Sequence, residues 1–284
     1  MSGRKQILVS VCAVLGGVLL VAVVGVWWVI QSDWLKNRIS ARIVSEVERA
    51  TGGRVELGGF TYDWQTLAAE FTRFTVHGSE PPGSPPLLHI SSLRVRLKIV
   101  SLLERDIDVA SLAVSHPEIY LLVREDGSTN VPSPRMPENM SAVEQLLALK
   151  VGHFELTHGL LHANDRRIPL DARAEQMSLL VNYNSRRFRR EASYDIHLSS
   201  RNMQAGSGLL HSLPFRLIAN ARLEKDRVTV RDLSFVQGGS SARLSGTLSH
   251  FAHPQFDFQT AVDAAANEIG QLTPYHDISG GRLL

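Results

Sequence analysis

One cysteine, Cys12, occurs in 284 residues, and it lies inside an apolar stretch near the N-terminus. A disulfide framework and a zinc site built on cysteine pairs are excluded. The lack of cysteine after Ile30 suits an oxidising compartment. Charge of one sign is also missing: 30 Lys and Arg stand against 28 Asp and Glu, for a net charge of +2. That balance carries no global signal for nucleic acid, and none is expected as a partner. The one basic run, Arg186-Arg187-Phe188-Arg189-Arg190, reads as a solvated turn between strands, with an anionic-headgroup or nucleic-acid site as the alternative.

Catalytic signatures are absent as well. No Gly-x-Ser-x-Gly elbow, phosphate-binding glycine loop or dinucleotide fingerprint occurs. His153, His158 and His162 crowd within ten residues, yet no ligand geometry follows from their spacing. They read as polar residues of an exposed hairpin rather than a metal site. Asp106 and Asp108 could face one side as paired carboxylates, but a turn and the wet face of the next strand account for them. No enzyme activity, metal or cofactor is expected.

What the chain does contain begins with charge-free sequence. Ile7 to Ile30 is 24 residues without a charged side chain, about 36 Å as a helix, enough to cross a hydrocarbon core of about 30 Å. Arg4 and Lys5 precede it, and Trp27, Trp28 and Trp34 stand at its far end as an interfacial belt would. The stretch is longer than the apolar region of a cleaved signal peptide, and Val26-Trp27-Trp28 is no small-x-small site. A single-pass anchor over 7–30 is the reading, behind a short tail over 1–6. Basic residues are more numerous after the span than before it, which favours a cytoplasmic body. A long domain translocates largely regardless of such charge, and cysteine usage favours a cytoplasmic N-terminus and a periplasmic body.

An amphipathic helix is predicted over 33–51. Ser32 or Asp33 can cap it, Leu35, Ile39, Ile43 and Val47 make its apolar stripe, and Gly52-Gly53 end it. Period-two alternation then takes over. Leu93, Val95, Leu97 and Ile99 alternate with Arg94, Arg96 and Lys98, and Ile119, Leu121 and Val123 follow the same rule. So do Ala192 to Leu198, Phe215 to Leu223, Leu244 to Leu248 and Phe256 to Val262. Such alternation marks antiparallel strands with one wet and one dry face. Asp126-Gly127, Asn164-Asp165, Lys225-Asp226 and Gly238-Gly239 supply turns.

A proline-rich segment and short helix over 131–149 divide a first unit (54–130) from a second (150–263), and 264–284 begins a further one. The helices are too few to cover so much dry face. A sandwich of two sheets and a sheet curled into an apolar trough both answer the problem, and periodicity alone does not separate them.

The order of features resembles the N-terminal part of the AsmA-like superfamily, especially TamB-like translocation and assembly proteins. The likeness runs from the anchor and helix through Thr51-Gly52-Gly53-Arg54-Val55-Glu56-Leu57, Pro86-Leu87-Leu88-His89-Ile90 and Leu93-Arg94-Val95. It continues through Ser101-Leu102-Leu103, Ile107-Asp108-Val109, His116-Pro117-Glu118-Ile119-Tyr120-Leu121 and Asp126-Gly127-Ser128-Thr129-Asn130. Gly159-Leu160-Leu161, Arg167-Ile168-Pro169-Leu170 and Ser245-Gly246-Thr247-Leu248 complete it. Each piece is short and unspecific, and their collinear order carries the resemblance.

The resemblance implies a mainly β protein: a curled antiparallel β-groove, taco-like and built of repeating units, anchored in the inner membrane. Members are associated with phospholipid movement between inner and outer membranes and with outer-membrane protein assembly. TamB-like chains are usually far longer, so this sequence is expected to be a fragment whose missing C-terminal region would meet outer-membrane assembly proteins. Phospholipid acyl chains are the expected partners. Candidate groove-lining residues are Phe74, Val76, Leu93, Val95, Leu97, Ile119 and Leu121 in the first unit. Tyr194, Ile196, Leu198, Phe215, Leu217, Phe256 and Phe258 are those of the second. Ordinary β-core packing is the competing role for each. The rival functions are a scaffold or chaperone whose open sheet edge pairs with outer-membrane protein strands, and a purely structural periplasmic tether.

Overall fold

The computed structural model describes residues 33–63, 65–97, 109–132, 151–168, 170–185, 192–207, 214–251, 253–265, 268 and 282–283. The apolar stretch 7–30, Arg4, Lys5, Trp27, Trp28, Ile99, Asp106, Asp108, most of the proline-rich segment and the Arg186–Arg190 cluster lie outside them. Among the described residues no helix is long and apolar enough to cross a membrane. Two compact units divide the chain, Met1–Glu46 and Val47–Leu284.

Helix α1 spans Asp33–Thr51. Its end follows from glycine chemistry: Gly52 adopts a left-handed φ of 75° and its N–H donates to the Glu48 carbonyl at 2.8 Å, satisfying one of the last open carbonyls. The Glu48 carboxylate then accepts from the Val55 N–H at 2.9 Å, so the helix terminus is tied to the first residues of the sheet.

Eleven strands follow in one sheet: β1 (Arg54–Asp63), β2 (Ala68–His77), β3 (Leu88–Leu97), β4 (Val109–Val123), β5 (His153–Asp165), β6 (Leu170–Ser185), β7 (Ala192–Ser207), β8 (Phe215–Glu224), β9 (Arg227–Gln237), β10 (Ser240–Ser249) and β11 (Gln255–Ala265). A two-residue β12 (Arg282–Leu283) pairs only with Ala264 and Ala265. Each strand is hydrogen-bonded to its neighbours in sequence, and the sheet is curled and does not close. Mainly β architecture is therefore what the chain adopts. The described strands belong to a single sequential order rather than to two separate sheets.

The expectation of antiparallel pairing throughout is corrected at one place: β4 and β5 are parallel, with Ser111 opposite His153 and Val123 opposite Asp165. The long connection between them returns the chain to the end of the sheet where β4 began, as a parallel pair requires. The proline-rich segment separates the strands in sequence without interrupting the sheet. A smaller correction concerns Asn164-Asp165. These are the last residues of β5, and the turn proper is Arg166–Ile168, shaped by the Asp165 carboxylate accepting from the N–H groups of Arg167 and Ile168.

Strict alternation also fails along one line, where each of the first strands holds an extra residue. Apolar residues that share the dry face stand three apart there: Phe71 and Phe74, Ile90 and Leu93, Val114 and Pro117, Leu156 and Gly159; β6 repeats the spacing at Ala174 and Met177, but opposite Leu161 and Gly159, one step off the line. Between them Arg73, His116, His158 and Gln176 take left-handed φ values of 50°, 50°, 55° and 51°. Gly58 of β1 lies opposite Arg73 in the register, and a Cβ there would come within 2.8 Å of the Arg73 Cβ. Ser91 of β3 lies between Arg73 and His116, and His116 stands opposite His158. Pairing is interrupted at this row in each pair from β1/β2 to β4/β5, yet the register is identical on both sides. The extra residues are therefore mutually aligned, forming one crease that runs across the strands.

At the ends of β2, β3 and β4 the frame is locked by Asn130, which is 2% exposed. Its Oδ1 accepts from Leu122 N–H at 2.8 Å and its Nδ2 donates to the Tyr120 carbonyl at 2.7 Å. Its own N–H donates to the Leu122 carbonyl, and its carbonyl accepts from Ser79 N–H. Arg124 adds donations to the carbonyls of Thr129 and Ser79. Replacing Asn130 by Ala strands a buried N–H and a buried carbonyl. The Asn130→Ala variant is expected to lose about 2–4 kcal/mol in urea unfolding, and a loss below about 0.5 kcal/mol would contradict this role.

Candidate functional site: the apolar face of the sheet

Register assigns the candidate lining residues to a common face. Val76 lies opposite Val55 and Leu88, Phe74 opposite Leu57 and Ile90, Leu93 opposite Phe71 and Val114, and Val95 opposite Ala69 and Leu112. Ile119 and Leu121 lie beside Leu161 and Ala163 of β5, which lie opposite Ala174 and Ala172 of β6. Tyr194, Ile196 and Leu198 pair with Tyr183, Val181 and Leu179 on one side and with Leu223, Ala221 and Ala219 on the other. Leu217 and Phe215 oppose Ser200 and Met203, while Phe256 and Phe258 oppose Leu248 and Gly246. Cross-strand partners share a face, so an apolar surface continues from β1 to β11. Leu97 ends β3 opposite Val109, at a register shift.

Access to that face is uneven. Phe74, Val76 and Tyr194 are buried, with Tyr194 closed over by Val181, Tyr183, Ile196, Val228 and Phe251. Leu93, Val95, Ile119, Leu121, Ile196, Leu198, Phe215 and Leu217 are half-buried. Phe256 and Phe258 are exposed, the first at 69%. Near this open end Phe215, Phe235, Ala242, Val262 and Ala264 line a concavity of about 280 Å³, with the Phe215 and Phe235 rings 5.9 Å apart. Phe235, Val262 and Leu233 belong to this surface through their pairing with Leu217, Ala242 and Ala219. The same alternation that singled out their neighbours also singles them out.

The opposite face is polar and satisfies itself across strands. Glu70 accepts from Ser92 and Arg94, Thr75 bonds His89, and His197 bonds Asn220. The three clustered histidines take separate partners: His153 bonds Asn182, His162 bonds Asp171, and His158 stacks on His116 with ring centroids 4.8 Å apart. No group of three metal-ligating side chains forms among the described residues. Trp34 falls within α1. A polar recess at the β1–β2 turn is lined by Asp63, Glu70, Arg94 and Arg96. Its carboxylates are already engaged, Asp63 by Gln65 N–H and the Thr66 hydroxyl.

Asp195 is the most heavily bonded carboxylate of the polar face. Arg222 donates to both its oxygens at 2.9 and 3.1 Å, and Arg231 to one at 3.0 Å. The Arg222 hydrogen bonds, followed by the charges of Arg222 and Arg231, hold its carboxyl below the usual carboxylate range. The stabilisation is complete above the unfolded value of roughly 3.9 and disappears as pH falls through the folded value. Asp195→Asn is expected to cost about 1 kcal/mol at pH 7. Urea midpoints of variant and parent should converge as pH falls from 7 through the folded value of Asp195, and a gap that stays constant from pH 7 down through the acid range would refute the assignment.

Comparison with protein families finds no matching family model, and comparison with curated proteins finds no match.

Proposed function

We propose that the chain is an inner-membrane-anchored periplasmic trough that binds phospholipid and conducts it between inner and outer membranes, in support of outer-membrane biogenesis. The observation that carries this reading is the continuous apolar face on a single curled sheet that does not close. Water against such a face is costly, whereas each methylene placed on it contributes about 0.8 kcal/mol. Ten strand-to-strand steps of about 4.8 Å make a path of about 48 Å along the sheet. Acyl chains slide on the floor formed by Leu93, Val95, Ile119, Leu121, Ile196, Leu198, Phe215 and Leu217, while headgroups stay in water on the open side. Residues 7–30 supply the anchor, and the resemblance to AsmA-like proteins supplies the compartment and the direction of reach.

A second reading, assembly of outer-membrane proteins, draws on a different observation. Residues 255–262 of β11 are exposed on both faces, and β12 pairs with only two residues of that strand. A strand with free edge groups accepts an incoming strand by hydrogen-bond addition.

The test places a charge on the floor of each half. Full-length Val95→Asp and Leu217→Asp, in bilayers containing a photoreactive phospholipid, are expected to lose most lipid cross-linking while keeping the parent's far-ultraviolet circular dichroism. Undiminished labelling of both folded variants would overturn the lipid reading. Cross-links from β11 to a nascent barrel strand, without bound lipid, would support the second.

A further inference from the structure

We propose that the aligned row Gly58, Arg73, Ser91, His116 and His158 is a built hinge line along which the sheet opens and closes. Three independent features meet there. First, left-handed backbone, which L residues rarely adopt, recurs on this row at three non-glycine positions, Arg73, His116 and His158, in neighbouring or nearly neighbouring strands. Chance strain would fall at unrelated registers. Second, ladder pairing is missing at this row and intact on either side. The flanking strand segments therefore behave as two hydrogen-bonded plates joined along a line without rungs.

Third, burial is sharply one-sided. Arg73, Ser91, His116 and His158 are all exposed, whereas Phe71, Phe74, Ile90, Val114, Pro117 and Leu156, next to them on the dry side, are among the most buried residues described. An extra residue on one side of a strand bends it toward the other. When every strand bends at the same line, the dry face becomes the inside of the fold.

The line also carries fastenings. Arg73 donates to the Gly58 carbonyl, and the His116 and His158 rings stack at 9° between planes. A Cβ on Gly159 would meet Leu156 at 2.8 Å and Met177 at 3.2 Å, so the inside of the line is packed to contact. At Gly159 the line is therefore at its closed limit, and motion from the described state is opening, with return to it as closing. The hinge itself is geometric, and only its consequence, control of lipid access, rests on the trough reading.

Distance measurement between spin labels tests this on the full chain with Cys12→Ser. Glu155→Cys and Asn164→Cys on β5 flank His158, while Ser178→Cys and Asn184→Cys on β6 lie on one side of the line. His158→Val, a β-branched residue that resists left-handed φ, is expected to lengthen the 155–164 distance by several ångströms and leave 178–184 unchanged. Thr157→Val, one residue off the row, should move neither. An unchanged 155–164 distance in folded His158→Val, or an equal change in Thr157→Val, would overturn the hinge. Should His158→Val not fold, His158→Gly provides the reading. Glycine keeps the left-handed state but loosens it, so the 155–164 distribution should broaden, and an unaltered width would refute the proposal. Photoreactive-lipid labelling of the same variants reads the trough separately: distances that move without any lipid labelling leave the hinge standing and remove its cargo.

Discussion

A sheet whose strands pair only with their neighbours in sequence must find something to set against its apolar face. Within the sheet described here the nearest solution is the face itself. Phe71, Phe74, Ile90, Val114, Leu156 and Ala174 are all buried on that face, and burial of a large apolar side chain is worth about 1.5–3 kcal/mol. The bend requires left-handed backbone at Arg73, His116 and His158, each costing about 1–2 kcal/mol. Burial of the flanking residues exceeds that cost, so the strained row is maintained by the packing it creates. Remove the packing and the row has no reason to exist.

The polar face answers a different requirement. It has water on hand, and its cross-strand bonds add register specificity more than stability. Asp195 with Arg222, Glu70 with Arg94, and His153 with Asn182 each link neighbouring strands, and Arg231 of β9 reaches Asp195 of β7 across β8. A one-residue slip would separate these pairs and bring apolar side chains to water. Both faces thus specify one register along the sheet.

Much of this was legible in the residues. The helix over 33–51 is delimited by a capping residue and a glycine pair, and the strands carrying Leu93 to Leu97, Ile119 to Val123 and Phe215 to Leu223 alternate cleanly. The crease was not legible, because Arg73, His116 and His158 carry no turn chemistry, and a period-two reading treats each as a local irregularity. Its trace in the sequence is the repeated spacing of three between dry residues, as in Phe71 and Phe74 or Val114 and Pro117, meaningful only once the strands are put in register. Parallel pairing of β4 with β5 was hidden for a related reason. Parallel and antiparallel strands with one wet face alternate alike, and only the path of the connection distinguishes them.

Whether an apolar face serves a ligand or merely the fold turns on how completely it buries itself, and here that varies along its length. Around Phe74, Val76 and Tyr194 the surface is closed by its own side chains. From Phe215 through Phe235 to Val262 it opens into a recess, and at Phe256 it lies bare to solvent. Among the described residues the aromatic end is uncovered, at about 25 cal/mol for each Å² of apolar surface left in water. A conduit needs such an end, because a hydrocarbon tail must leave one module to reach the next. An edge built for strand addition needs it equally, and the incoming strand would extend the same floor. The two readings thus ask the same surface to continue beyond β11, and they differ in whether hydrocarbon or polypeptide arrives first.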